Sequence, residues 1–125
     1  MKLKLSERRR YLRIEVPLKV GIEGDIWDRE IYTKNISPIG VRLENSRKPN
    51  VSEEINVSIF LPDSRESVRL RGKVVWEEKT SIEDNAPYDV GVEILYIEES
   101  SKSVLSKFLC DLLYSASYEE KRIEE

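Results

Sequence analysis

The clearest pattern in this chain is the segment Ile14-Glu15-Val16-Pro17-Leu18-Lys19-Val20-Gly21-Ile22-Glu23, in which every second side chain is apolar. Glu15, Lys19 and Glu23 fall on the opposite side of an extended backbone. Successive side chains of a β-strand point to opposite faces, so a period of two is typical of a strand with one buried face. The segment is therefore predicted to be a half-buried strand.

The same alternation recurs along the chain and predicts about six strands. One lies near 30–36, and the others carry Val41 and Leu43; Ile55, Val57, Ile59 and Leu61; Val68, Leu70, Val74 and Trp76; and Val90, Val92 and Ile94. Trp76 is in phase with Val74 and is expected to pack in the core. Short segments rich in Gly, Pro, Asn and Asp separate the strands, which suits an antiparallel closed barrel or a sandwich.

After Glu99 the apolar period changes to that of a helix. Its members are Val104, Leu105, Phe108, Leu109, Leu112 and Leu113. Ser100 or Ser101 is available as the N-cap. We expect one amphipathic helix to pack on the strands, although its apolar stripe also suits contact with a second copy, so monomer and homodimer are both open.

Charge is distributed unevenly along the chain. Residues 1–19 hold seven Lys or Arg against two Glu, while the whole chain has a net charge of -3. A local excess of positive charge favours an anionic ligand. The expected organisation is a flexible basic arm at 1–13, a barrel with its helix at 14–118 and a charged tail at 119–125.

Composition excludes several functions. The chain has no histidine and one cysteine, Cys110, so no internal disulfide, Cys/His nucleophilic pair or Cys/His zinc site is possible. No catalytic constellation is visible, and we expect the protein not to be an enzyme. No apolar stretch has membrane-spanning length and no signal sequence is visible, so we expect a cytoplasmic protein without membrane insertion. Cys110 is expected to be an incidental exposed thiol.

Two short motifs carry the chemistry. The first is Arg8-Arg9-Arg10-Tyr11-Leu12-Arg13, and the second is Asn35-Ile36-Ser37-Pro38-Ile39-Gly40. In this order and spacing they resemble the PilZ family, whose signature is RRxxxR followed by [D/N]xSxxG. The segments 72–76 and 88–94 resemble further barrel strands of that family, so the resemblance covers about residues 7–96. Arg10 lies outside the signature.

The resemblance implies a mostly β fold, a six-stranded antiparallel barrel with a C-terminal amphipathic helix. It also implies that the second messenger cyclic di-GMP binds between the arginine segment and the barrel, with no cofactor or metal. Cyclic di-GMP presents two guanines and two phosphates, and arginine both stacks on purines and donates forked hydrogen bonds. By resemblance, Arg8, Arg9 and Arg13 are assigned to guanine and phosphate contacts.

The second motif is assigned by the same resemblance. The amide oxygen of Asn35 is expected to accept from guanine, and the Ser37 hydroxyl to bond a phosphate or the adjacent backbone. Gly40 is expected to permit a tight turn. Many relatives carry Asp at the position of Asn35, which replaces a charge-assisted hydrogen bond by a neutral one.

The sequence leaves three functional interpretations. The first is a cyclic di-GMP receptor in which the ligand orders the basic arm and signals to an unidentified protein partner. The second is a PilZ-like adaptor that contacts proteins without the nucleotide. The third, a barrel that binds single-stranded nucleic acid, is disfavoured because the basic residues are concentrated in the arm and not on the strands. No nucleic-acid partner is therefore expected.

Overall fold

The computed structural model describes residues 2–4, 13–62 and 67–124, with side chains for 13–62 and 67–115. This part of the chain forms eight strands followed by one helix. The strands are β1 (Lys2–Lys4), β2 (Arg13–Glu15), β3 (Lys19–Ile22), β4 (Ile31–Ser37), β5 (Gly40–Asn45), β6 (Glu54–Phe60), β7 (Val68–Lys79) and β8 (Tyr88–Ile97), and the helix is α1 (Glu99–Glu124).

Six of the strands close into an antiparallel barrel in the order β3, β6, β7, β8, β5, β4, because β4 pairs with both β5 and β3. Each of these six strands places a fully buried residue in the interior. These residues are Val20, Ile31, Leu43, Ile59, Val74 and Val90, of which Ile31 comes from β4. The prediction of a six-stranded antiparallel barrel with a C-terminal helix is confirmed, and closure of the ring excludes the sandwich.

The first predicted strand, Ile14 to Ile22, is in fact two strands. Residues 16–18 separate β2 from β3, and Pro17 in this break has no N–H to give to a strand ladder. Thr33 on β4 replaces the missing bonds: its hydroxyl donates to the Val16 carbonyl and accepts from the Leu18 N–H at 2.9 Å. The sequence also did not predict β1, which pairs with β2 and brings Lys4 opposite Arg13.

The helix packs against β7 and buries Leu105 and Leu109. It begins at Glu99, so both Ser100 and Ser101 lie within it, and the prediction of either as the N-cap is wrong. The Ser101 hydroxyl instead accepts a hydrogen bond from the Arg69 N–H at 3.3 Å, and so ties the helix to β7. Cys110 is exposed, as expected. Within the described residues, no helix has the length and apolar character of a membrane span.

Candidate functional site

The second motif lies at the β4–β5 hairpin, on the outer wall of the barrel. Ile36 points inward and is fully buried, so its neighbours Asn35 and Ser37 belong to the outer face. Asn35 is paired with Arg42, and Ser37 with Gly40. On the other side of β4, Ile14 pairs with Ile36, which sets Arg13 beside Ser37 in antiparallel order. The structure thus brings Arg13, Asn35, Ser37 and Gly40 together.

Asn35 holds Arg13 in place. Arg13 Nη1 donates to Asn35 Oδ1 at 2.9 Å, and Asn35 is only 7% exposed. The amide oxygen that was expected to accept from a guanine thus already accepts one hydrogen bond from the arginine. Arg13 Nε is buried and has no hydrogen-bond partner in the described part of the chain. Besides the bond between them, the Arg13 guanidinium carries further N–H groups and Asn35 an amide NH₂, which are donors suited to a ligand.

Ser37 and Gly40 shape the hairpin in different ways. Ser37 Oγ accepts from the Ile39 N–H at 3.3 Å, which is the backbone alternative of the two bonds expected for this hydroxyl. Gly40 does not adopt a positive φ, so the turn itself does not require glycine. A Cβ at Gly40 would lie 2.9 Å from the Val92 carbonyl oxygen. Glycine is needed because β8 approaches closely, which corrects the expected reason.

Trp76 is the functional candidate that the sequence analysis missed. It was expected in the core, but it is 40% exposed on the outer wall. The register of β7 against β8 shifts between Val74 and Trp76, and this bulge takes Trp76 out of phase with the inward positions. The available signal was the break in alternation at Val74-Val75-Trp76, together with a glycine, Gly91, at the partner position.

Gly91 accommodates the Trp76 indole against the barrel wall. A Cβ at Gly91 would lie 2.2 Å from Trp76 Nε1 and 2.3 Å from Trp76 Cε2, closer than real contacts allow. The absent side chain therefore lets the ring lie across β8. One part of the indole packs on the strand, and the remainder stays accessible to a ligand.

Arg13 and Trp76 both line a groove of about 420 Å³, called here the Arg13–Trp76 groove. The other lining residues are Ile39, Gly40, Val41, Val75, Gly91, Val92, Glu93 and Ile94. A second groove of about 470 Å³, the Asn56–Arg71 groove, is lined by residues that include Ser58, Arg69 and Tyr96 and by none of the motif residues. Volume alone therefore does not identify the site.

A charged cluster lies beside the Arg13–Trp76 groove. Asp89 accepts from Arg42 Nη2 at 2.7 Å and from Lys34 Nζ at 2.5 Å. Burial of Asp89 opposes its charged form, but these two hydrogen bonds outweigh it, so the pKa of Asp89 is lower than its ordinary 3.8. Burial of Lys34 acts against its charge too, but hydrogen bonds to Asp89 and Glu44 raise the pKa of Lys34 above 10.5.

Arg8 and Arg9 lie outside the described residues. The strands on either side are described, and Lys4 is paired with Arg13. Among the described residues, no group of acidic or cysteine side chains is arranged to hold a metal ion.

These features define a small antiparallel barrel whose candidate ligand site lies on its outer wall and not in its interior. The chain belongs to the PilZ family: the family model for the PilZ domain matches residues 7–110. This match confirms the resemblance seen in the two motifs. No curated protein matches the sequence.

Solved structures share the fold at low identity. The Bacillus subtilis inhibitor of motility MotI/DgrA has a TM-score of 0.72 at 17% identity, over 90% of this chain and 54% of that one. The MrkH–c-di-GMP complex of K. pneumoniae has a TM-score of 0.68 at 16% identity, over 92% of this chain and 57% of that one. Escherichia coli YcgR in complex with c-di-GMP has a TM-score of 0.68 at 12% identity, over 93% of this chain and 50% of that one. The chain thus spans about half the length of each.

Proposed function

We propose that this protein is a receptor for cyclic di-GMP, which binds in the Arg13–Trp76 groove. The observation that carries the proposal is that an arginine held by Asn35 and an accessible indole line the same groove. Guanine needs a flat surface to stack on and a forked donor for its O6 and N7 atoms. Stacking contributes about 1–3 kcal/mol per base, and a bidentate arginine contact about 1–3 kcal/mol of discrimination.

The groove residues divide into ligand contacts and support. Trp76 provides a stacking surface, and Arg13 donates to a guanine edge or a phosphate. The Asn35 amide NH₂ donates to the ligand while its oxygen keeps Arg13 in position. Ser37 and Gly40 act indirectly, since they fix the hairpin and its close approach to β8.

Arg8 and Arg9 are proposed to complete the site from the chain that precedes Arg13. Arg9 is four residues before Arg13, a distance that an extended chain covers in about 14 Å. Because Arg13 lines the groove, a chain of this length allows both guanidinium groups to reach a ligand there. Their flat, forked donors suit guanine and phosphate better than lysine does.

Two further observations support the nucleotide. The chain belongs to the PilZ family and keeps both motifs of its signature. Two of the similar structures, MrkH and YcgR, are complexes with c-di-GMP, and more than nine tenths of this chain is covered in each comparison. A receptor, and not an enzyme, is the function that these residues suit best.

The signal is proposed to pass through the N-terminal segment to a protein partner. In the predicted organisation, residues 1–13 are a basic arm, residues 14–118 the barrel with its helix, and residues 119–125 a charged tail. Ligand binding neutralises and orders the arginine segment on the barrel, which creates a new surface for a partner. A PilZ-like adaptor that contacts proteins without the nucleotide is the alternative.

Calorimetric titration of cyclic di-GMP tests the proposal, with GMP and cyclic di-AMP as ligand controls. The wild type is compared with Arg9→Ala and Arg13→Ala, and Arg69→Ala on the Asn56–Arg71 groove is the matched control. We expect saturable, guanine-specific heat in the wild type and in Arg69→Ala, and strong loss of affinity in the other two. Absence of heat from the wild type would reject the receptor and favour the adaptor.

A further inference from the structure

The charged cluster beside the groove is connected to Trp76 through one strand. Across the outer wall, Arg42 on β5 pairs with Gly91 on β8, and Gly91 pairs with Trp76 on β7. Because Gly91 has no side chain, β8 places no side chain between the guanidinium and the indole at this position. Arg42 Cζ lies over the Trp76 ring, 5.8 Å from its centroid.

The indole thus extends from β7 across Gly91 of β8 and meets Arg42 of β5. A guanidinium at this distance attracts the ring by a cation–π interaction, worth about 0.5–1 kcal/mol at an exposed site. The ring is confined by the Gly91 backbone and by Arg42. Trp76 without Arg42 retains the Gly91 contact but loses one of the two groups that restrict its orientation.

Asp89 in turn fixes Arg42. Its carboxylate accepts from Arg42 Nη2 at 2.7 Å through one oxygen and from Lys34 through the other. The Asp89 side chain is only 14% exposed, whereas the Arg42 side chain is 37% exposed. The well-shielded carboxylate is therefore the anchor, and the more exposed guanidinium is the group that it holds.

Glu44 is a neighbouring carboxylate with a different connection. Its carboxylate lies 3.1 Å from Lys34 Nζ, and in the pairing of β5 with β8 Glu44 is opposite Asp89. No hydrogen bond or ion pair joins it to Arg42 among the described residues. The cluster therefore offers two acidic side chains of similar location, of which only Asp89 is joined to the arginine over Trp76.

We propose that Asp89 is a positioning residue for the nucleotide site, which acts through Arg42 to hold the Trp76 indole in its stacking orientation. This inference rests on the proposed function for its effect on the ligand. Its effect on the indole does not, because the contacts of Asp89 with Arg42 and of Arg42 with Trp76 are made within the chain itself. Asp89 makes no ligand contact in this scheme.

The experiment compares the wild type with Asp89→Asn and Arg42→Lys, and Glu44→Gln is the matched control. The first readout is acrylamide quenching of Trp76 fluorescence without ligand. Since Trp27 also emits and is 5% exposed, the Trp76 signal is taken as the difference between each protein and its Trp76→Phe form. The second readout is the calorimetric affinity for cyclic di-GMP, and circular dichroism checks that each variant is folded.

We expect Asp89→Asn to increase quenching of Trp76 and to weaken cyclic di-GMP binding about two- to fivefold, the equivalent of the lost cation–π contact. Arg42→Lys keeps the ion pair but loses the flat guanidinium, so it changes both readouts in the same direction. It serves as the deciding variant if Asp89→Asn does not fold. Glu44→Gln is expected to change neither readout.

Unchanged quenching in folded Asp89→Asn overturns the positioning role, whatever happens to affinity. Equal changes in Glu44→Gln also overturn it, because the effect then belongs to the general charge of the cluster. If the wild type gives no heat with cyclic di-GMP, the proposed function fails, while quenching still decides whether Asp89 positions the indole.

Discussion

The two grooves on the barrel wall have similar volumes but differ in the state of their polar groups. In the Asn56–Arg71 groove, Arg71 donates to Glu54 at 3.2 Å and to Asn56 at 3.0 Å, and Asn56 donates to Glu23 at 3.1 Å. In the Arg13–Trp76 groove, Arg13 Nε has no hydrogen-bond partner among the described residues, and the lining includes two glycines. Polar groups that satisfy one another have less to offer a ligand, so the internal pairing of Arg71 and Asn56 distinguishes the two grooves better than volume does.

The largest effect expected from a single methyl group is that of Gly91→Ala. The added Cβ overlaps Trp76 Nε1, at 2.2 Å, so the indole must leave its place on the wall. We expect about a hundredfold weaker cyclic di-GMP binding and a loss of about 1–3 kcal/mol in the free energy of unfolding. Calorimetry and urea denaturation measure the two effects.

Gly21→Ala is the matched control on the side of the other groove. Gly21 lies opposite Ser58, and its added Cβ would be 3.6 Å from Phe60 Cε2, an ordinary contact distance. We expect wild-type affinity and little change in stability. Wild-type binding by Gly91→Ala would show that the position of Trp76 on the wall is not needed for the ligand.

Replacing the aromatic side chain itself compares the grooves more directly. Trp76→Ala is expected to weaken cyclic di-GMP binding between about fivefold and a hundredfold, since one base loses its stacking surface. Tyr96→Ala in the Asn56–Arg71 groove removes an even more exposed aromatic side chain, 65% against 40%, and is expected to leave the affinity unchanged. A larger loss in Tyr96→Ala than in Trp76→Ala would move the site to the other groove.

Exchanging arginine for lysine tests the forked donor while the charge is kept. Arg13→Lys loses the planar group that bonds Asn35 and is expected to weaken binding about five- to tenfold. Arg71→Lys makes the same exchange in the Asn56–Arg71 groove and is expected to retain wild-type affinity. Equal affinities of Arg13→Lys and the wild type would indicate that positive charge alone is recognised at position 13.

The part of the fold that depends on alternation was predictable from the sequence. A strand with one buried face is recognisable by the period of two in its apolar residues, and all six barrel strands have fully buried inward residues. The break between β2 and β3 was not predicted, although Pro17 is visible in the sequence. The break is stabilised by hydrogen bonds to the Thr33 hydroxyl on β4. The local sequence pattern around Pro17 does not reveal a contact with another strand.

The candidate site was only partly predictable. Arg13, Asn35, Ser37 and Gly40 were named from the two motifs and lie together, while Arg8 and Arg9 stay predictions because they fall outside the described residues. Trp76 was predicted to lie in the core because the alternation of Val68, Leu70 and Val74 was continued to position 76, across a bulge that the sequence does not show. A bulge depends on the partner strand, here on β8 at Gly91, and so the phase of one strand alone does not reveal it.

The smallest expected effect concerns stability and pH, and it compares the ion pairs near the two grooves. Asp89 is well shielded, so Asp89→Asn is expected to lower the free energy of unfolding by about 1 kcal/mol at pH 7. Glu54, which pairs with Arg71, is 52% exposed, and Glu54→Gln is expected to cost no more than about 0.3 kcal/mol. Urea denaturation at a series of pH values measures both differences.

The sign of the pH dependence follows from the lowered pKa of Asp89. A carboxyl whose pKa is lower in the folded state contributes stability that is fully present above its ordinary value of 3.8 and is lost as the pH falls through the folded value. The wild type and Asp89→Asn should therefore keep a constant difference from pH 7 down to about pH 5 and converge only below 3.8. Convergence already between about pH 5 and 4 would contradict a lowered pKa. In that case Lys34 and Arg42 would not hold the Asp89 carboxylate as the geometry indicates.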